Sequence, residues 1–279
     1  MPALRLGLVG AGAWGRNYIR TIAGIPETRL ARVATRDWRE LLRASDIDGV
    51  IVAVPPAAQP EIALAAIEAG RPLLLEKPLA LSVDAAQRIV AAAAARSVFV
   101  MVDHVHLFHP AFEALKRAAA ERGPVLAIEA AAGGPGQRPG VPALWDWGPH
   151  DVAMCIDLLG APPEAVDAAR LESRAAGERL RLDLQFARGV SASIELSTLR
   201  EKHRRFAVRL AAQTLVYDAA PPADAAELPL ARAVRAFAAA VAAGSTSLAS
   251  AELGVAVVRT LTRCEERLAE KSGTVDRIP

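Results

Sequence analysis

The sequence predicts an α/β domain on a doubly wound parallel sheet, followed by an α+β domain with a mostly antiparallel, open sheet. Three observations carry this. Short apolar runs alternate with helix-like stretches as far as residues 98–102. A glycine-rich turn joins the first run to the first helix. Past Pro110 the alternation gives way to runs with a two-residue hydrophobic period.

In order, residues 4–9 form a short apolar strand that meets Gly10-Ala11-Gly12-Ala13-Trp14-Gly15, and a helix-like stretch follows to about Ala23. Pro26 breaks the chain and residues 29–34 read as a second strand. Strand, turn, helix and strand make a βαβ unit, which demands a parallel sheet. Residues 50–54 are a fully apolar strand closed by Pro55-Pro56, and residues 61–69 an amphipathic helix capped by Gly70. Residues 73–75 form a strand running into Glu76-Lys77-Pro78, Ser82 caps a helix to Ala95, and residues 98–102 are a further strand.

The grammar then changes. A helix over 111–122 ends at Gly123-Pro124 and a strand starts at Val125. Residues 133–142 are a Gly/Pro-rich loop, and residues 150–159 a helix stopped by Gly160. Strands are expected at 165–171, 179–186, 190–196 and 205–210, with a hairpin turn at Arg188-Gly189. Leu182, Leu184, Ile194 and Leu196 mark the core side of this sheet. The other face, with Val190 and Phe206 assigned to it, is expected to bury itself in a homo-oligomer. Helices over 230–243 and 248–268 close the chain. The domains are thus expected at 1–104 and 105–279, with the last helices packing back on the first.

Length and composition agree. A chain of 279 residues suits two domains, and 52% hydrophobic with 23% charged residues excludes wholesale disorder. Aromatics are only 4%, so Ala, Leu and Val must fill the core. The 33 basic and 31 acidic residues leave a net charge of +2 with no basic stripe, so no nucleic-acid partner is expected. Cys155 and Cys264 form no paired motif, which suits a reducing, cytoplasmic setting. Apolar runs are interrupted before about 18 residues, so no membrane span is expected. The chain enters its first strand without the layout of a secretory signal.

Four constellations could carry chemistry. In the glycine turn, Gly10 permits the bend, Gly12 lets a phosphate approach the backbone and Gly15 lets helix and strand pack closely. A pyrophosphate would sit on the helix N-terminus, beside Ala13 and Trp14, where free amides and the helix dipole favour an anion; a tight turn without ligand is the other reading. Lys77 follows a strand at the edge where open α/β sheets bind ligands, and reads either as a donor to a substrate oxygen or as a loop lysine paired with Glu76. Asp146 and His150, four apart at a helix entrance, read either as an oriented acid/base or as a cap and a surface histidine. His104 and His106 share a strand face in a metal-like spacing, but no further ligand completes a set, so no metal is expected and His104 is placed near a cofactor cleft.

Together these features resemble the Gfo/Idh/MocA family of nicotinamide-dependent oxidoreductases. The resemblance rests on Gly10-x-Gly12-x-x-Gly15, Pro55-Pro56, Glu76-Lys77-Pro78, Asp103-His104 with Pro110, and Trp145-Asp146-x-Gly148-x-His150, with Ser197, Lys202 and Tyr217-Asp218 further on. It implies a Rossmann domain with NAD or NADP over its strand ends. Lys77 would polarise the reacting oxygen, His150 would be the general acid/base and Asp146 would orient it. Thr35, Arg36, Pro55, Glu76 and His104 would join the glycine turn in the cofactor site. The substrate would be a sugar, cyclitol or nucleotide sugar, and the wording around His150 is closest to members acting on nucleotide-linked amino sugars. A cofactor-binding regulator without turnover and a nicotinamide-dependent glycosidase are alternatives on the same fold.

Several features depart from the family pattern: Leu107 and His109 replace polar residues frequent before Pro110, the chain is short for the family, and two more bear on the cofactor domain. Residues 38–45 are too short for the usual longer helix and extra edge strand, and Gln59 replaces a frequent histidine. The dinucleotide corner is the remaining reading. Twenty residues past Gly15 stands Thr35, neutral, followed by Arg36, which suits a 2′-phosphate and favours NADP. Asp37, two further on, could instead accept ribose hydroxyls, or simply cap the short helix after it.

Overall fold

The computed structural model describes residues 3–135 and 141–275. It contains two compact units, Met1–His109 with Pro221–Val258, and Pro110–Ala220 with Arg259–Pro279.

In the first unit, β1 (Leu4–Val9), β2 (Thr28–Ala34), β3 (Gly49–Val52), β4 (Leu73–Glu76) and β5 (Val100–Asp103) form a wholly parallel sheet. Its order is β2-β1-β3-β4-β5. β3, β4 and β5 are buried along their whole length, as strands covered on both faces must be. The helices are α1 (Ala13–Ala23), α2 (Trp38–Arg43), α3 (Gln59–Glu68), α4 (Val83–Arg96) and α7 (Pro229–Ala242). The Ser82 hydroxyl accepts from the Ala85 amide, the cap its sequence position predicts. The short segment after Asp37 holds only the six-residue α2, so the sheet ends at β2. Because the absent strand would have been an edge, the pairing of the inner strands is untouched.

Val234 and Phe237 of α7 are fully buried in this unit's core with Leu6, Tyr18, Ile51 and Phe99, and the Phe99 and Phe237 rings stack 5.9 Å apart. Ser250, in the first part of α8 (Ala249–Val275), borders edge strand β5. Its hydroxyl accepts from the Val102 amide at 2.9 Å, satisfying a ladder donor that has no neighbouring strand.

The second unit holds β6 (Ala127–Gly133), β7 (Ala165–Arg174), β8 (Gly177–Gln185), β9 (Ser191–Ser197), β10 (His203–Arg209) and β11 (Thr214–Tyr217), in the order β11-β10-β6-β9-β8-β7. Only β6 and β9 pair in parallel; the other pairs are antiparallel. Leu182, Leu184, Ile194 and Leu196 are fully buried. Arg188 and Gly189, at φ 60° and 75°, make the hairpin turn between β8 and β9. Residues 136–140 of the Gly/Pro-rich loop lie outside the described residues.

Two expectations are corrected here. Phe206 is fully buried on the covered face, edge-on to Phe112 of α5 (Pro110–Arg122) at 5.8 Å and in the same cluster as Tyr217. Register decides this. Ala207, the next residue, pairs with Glu129 on the opposite face. That exposed face is largely polar and charged: one row across it reads Asp167, Asp183, Ser193 and Glu129, and ends through Ala207 on the exposed Val216.

The second correction concerns the helix after the loop. α6 runs Ala143–Leu159, seven residues earlier than its expected start. Pro149 sits inside it and Gly148 precedes it. The clash a proline imposes on the preceding residue involves that residue's Cβ, and glycine has none. Gly148 also packs so tightly that an added Cβ would lie 2.8 Å from a methyl of Leu261. Tertiary packing therefore holds a helix where local signals mark a break.

Candidate active site

The glycine turn is built as its spacing requires. Gly10 has φ 97°, and an added Cβ would lie 2.2 Å from the Ala53 carbonyl oxygen. At Gly15 it would lie 2.0 Å from the Gly10 carbonyl oxygen. At Gly12 it would meet nothing within 4 Å. Gly12 is also the N-cap of α1, with no side-chain cap and no acidic residue in the first turn. Ala13 and Trp14 are exposed beside it. An open, uncapped, positive helix end is a fit for a dinucleotide pyrophosphate.

The Gly10 amide donates to the Ala34 carbonyl at 2.8 Å, tying the turn to the end of β2. There Thr35, Arg36 and Asp37 are exposed and line a cavity of about 330 Å³ with Arg32 and Glu40. Asp37 is the N-cap residue of α2, yet its side chain makes no capping hydrogen bond. Its carboxylate is thus not engaged as a cap.

At the C-terminal end of β4, Glu76 is buried, Lys77 half-buried and the Lys77–Pro78 peptide cis. Gln59 of α3 clamps this corner. Its buried amide nitrogen donates to the carbonyls of Glu76 at 2.7 Å and Pro78 at 2.9 Å. Pro55 lies exposed in the turn after β3. Glu76 points inward: the hydroxyl of Tyr18 from α1 lies 2.9 Å from its Oε1 and 2.6 Å from Asp103 Oδ2 at the end of β5. Burial pushes both carboxyls up, Glu76 well above the usual range and Asp103 to about 6.

His104 follows Asp103 and is almost wholly buried. Burial, then the Lys77 charge, lowers it to about 3, and neither ring nitrogen has a hydrogen-bond partner. A neutral imidazole with its bonding capacity unspent stands at the ligand-binding edge of the sheet. β5 ends at Asp103 and residues Val105–Phe108 form a 3₁₀ turn, so His104 and His106 do not share a strand face. Among the described residues no group of three or more candidate ligands could hold a metal ion.

In the second unit, Asp146 and His150 both lie inside α6, one turn apart, Asp146 buried and His150 half-buried. The indole of Trp145 donates to Glu265 Oε1 at 2.9 Å, fixing the first turn of α6. Asp151, fully buried, accepts from Arg204 of β10 at 2.6 Å, anchoring the helix to the sheet.

Sequence reasoning missed Tyr18, Gln59 as a clamp, and the Asp151–Arg204 pair. Tyr18 was findable as a polar residue three past Gly15 on the face of α1 that also buries Ile22. The other two depend on which helix comes to lie against which strand, which no spacing encodes.

A sheet of this order with an uncapped glycine turn at its first helix defines a nucleotide-binding scaffold of Rossmann type, and comparison with known proteins makes it specific. Residues 26–104 match the family model described as oxidoreductase family, NAD-binding Rossmann fold (GFO_IDH_MocA). An inositol 2-dehydrogenase of Paracoccus denitrificans (strain Pd 1222) is 33% identical over 226 residues, covering 69% of this chain and 67% of that protein. Inositol 2-dehydrogenase 2 of Paenarthrobacter aurescens (strain TC1) is 32% identical over 206 residues, 63% of this chain and 61% of that protein. A crystal structure of a protein assigned as an oxidoreductase from Magnetospirillum magnetotacticum MS-1 superposes with a TM-score of 0.86 at 40% identity, covering 94% of this chain and 99% of that one. The chain belongs to the Gfo/Idh/MocA family of NAD-binding oxidoreductases.

Proposed function

We propose that this protein is a dehydrogenase or reductase of CH–OH groups, moving a hydride between a nicotinamide dinucleotide and a hydroxyl or keto carbon of a cyclitol, sugar or nucleotide sugar. The observation that carries the reading is Lys77, held half-buried at the end of β4 by the Gln59 clamp and the inward-turned Glu76. A bound NAD(P) supplies the hydride acceptor or donor. Lys77 donates to the substrate oxygen and steadies charge as it develops there. His150 is the candidate general acid/base, and Asp146, one turn earlier on α6, its orienting group. Ala13, Trp14 and the three glycines would hold the pyrophosphate, with Pro55 and His104 as further candidate cofactor contacts. The inositol 2-dehydrogenases among the relatives support testing cyclitols first. Lys77→Met tests the assignment: dinucleotide binding should persist while turnover falls by roughly 10²–10⁴. Near-normal turnover on an identified substrate would remove Lys77 from the mechanism.

For the dinucleotide we favour NADP, on Thr35 and Arg36 in the cavity after β2. The uncapped Asp37 carboxylate supports NAD as a second reading. Dissociation constants for both, in wild type and Arg36→Ala, decide. NADP should bind tighter and lose roughly tenfold in the variant; tighter NAD with no loss of NADP affinity reverses the choice.

We also retain a homo-oligomer through the second unit's sheet, now on a different ground. The exposed face carries Arg181 with Asp183 at 2.9 Å and Arg200 with Glu195 at 3.0 Å, so a second copy would meet it through charges. Both cysteines are free and buried, which suits the cytoplasm. No helix among the described residues is long and apolar enough to cross a membrane.

A further inference from the structure

Tyr18, Glu76 and Asp103 meet beneath Lys77 from three different elements, and their hydrogen count does not close. A phenol carries one hydrogen. Its oxygen lies within hydrogen-bond distance of two carboxylates, at 2.9 Å and 2.6 Å. Were both carboxylates ionised, one contact would set lone pair against lone pair. That arrangement would be deeply buried: Tyr18 is 0%, Asp103 1% and Glu76 8% exposed. Two adjacent anions without water are far costlier than one.

We propose that the triad holds one proton beyond the tyrosine's own, carried by Glu76, so that it shows Lys77 a single negative charge, on Asp103. Glu76 then donates to the Tyr18 oxygen and Tyr18 donates to Asp103. The distances choose this order. An O–H···O⁻ bond runs about 2.5–2.7 Å, and a neutral one is longer; the 2.6 Å contact is the one to Asp103. Burial and the neighbouring Asp103 charge raise Glu76 in the same sense. Asp103 Oδ1 has no hydrogen-bond partner, so its charge is not spent on another donor. The other titratable groups at this corner are Lys77 and His104. Lys77 acts electrostatically on Glu76, Asp103 and His104, and His104 is neutral.

Tyr18, Glu76 and Asp103 are therefore positioning residues. One fixed anion keeps Lys77 an ammonium and so a donor. The link from that charge to turnover rests on the role proposed for Lys77; the shared proton does not.

Infrared spectroscopy of the full chain at neutral pH tests the proton directly. Wild type should show the C=O stretch of a protonated carboxylic acid. It should shift when glutamate, not aspartate, carries ¹³C in its carboxyl, and vanish in Glu76→Gln. The labelling experiment needs no variant to fold. The charge is read from ¹³C NMR of labelled lysines, with Lys77→Met assigning the resonance. Glu76→Gln should leave the Lys77 pKa close to wild type, because Asp103 still carries the charge. Glu76→Gln/Asp103→Asn should lower it by about one unit or more. No protonated-acid band, or a band that follows aspartate, overturns the shared proton on Glu76. A Lys77 pKa unmoved in the double variant overturns the positioning role. Loss of turnover in Lys77→Met bears only on the function proposed above.

Discussion

Gly12 and Gly15 lie in one turn, yet a side chain would have opposite consequences at the two. Gly15→Ala drives a methyl into the Gly10 carbonyl, and should cost about 3 kcal/mol in thermal or denaturant unfolding. Gly12→Asp enters open space at φ −67°, so stability should stay within about 0.5 kcal/mol. The added carboxylate would occupy the anion site, and dinucleotide affinity should fall at least roughly tenfold by calorimetry. Equal dinucleotide affinity in Gly12→Asp would mean the turn binds no phosphate.

Asp103 makes stability depend on pH in a definite direction. Its folded pKa of about 6 lies above the usual value of about 3.9, so the folded state holds the proton more tightly. Its contribution is fully present below about pH 4 and is lost as pH rises through about 6. Asp103→Asn removes that loss. Its melting temperature relative to wild type should therefore climb between those limits and level off above them. A difference that is flat across that window would count against the shift. His150→Asn should flatten the neutral-range pH profile of turnover, a change that loss of packing alone would not produce.

At the scale of elements, α6 shows where local and tertiary signals part. Residues 150–159 read as the whole helix, with Gly148 and Pro149 just before it. The chain instead continues the helix back to Ala143, because Gly148 lacks the Cβ that would clash with Pro149 and nests against Leu261 and Leu196. Gly148→Ala is then a sharp test. Helix propensity alone favours alanine by about 1 kcal/mol. The 2.8 Å contact to Leu261 should reverse the sign and leave the variant less stable by about 1–3 kcal/mol. A stabilised variant would show that this packing is loose.

The strands were more legible. β1, β3, β4 and β5 are short apolar runs bounded by Gly, Pro or charge, and a strand buried on both faces needs no more. β8 and β9 announced themselves by alternation around Arg188-Gly189. The face assignment of Phe206 overlooked a signal that is present: Phe206, Val208 and Leu210 share one parity, with Arg205 and Arg209 on the other, the alternation of a half-buried strand.

At the scale of the whole molecule, the charged sheet face changes what an oligomer would look like. An apolar face would associate more strongly with added salt, whereas charge pairing weakens as ions screen it. Sedimentation at micromolar concentration should show an oligomer at low ionic strength that shifts towards monomer as sodium chloride rises. A strict monomer at low salt would remove the sheet as an interface.

The sequence by itself determined the order of strands and helices, the change from parallel to mostly antiparallel pairing, the glycine turn and the position of Lys77 at a strand end. These follow from period, turn chemistry and local sterics, which act within a few residues. Only the tertiary structure decided where α6 begins, that Gln59 clamps the Lys77 corner, and that Tyr18 joins Glu76 to Asp103. Those contacts join residues 17 to 85 positions apart. They exist because β4 and β5 lie side by side in one sheet, with Tyr18 reaching their ends from α1 and Gln59 from α3, a neighbourhood fixed by the burial of whole faces and by no local pattern.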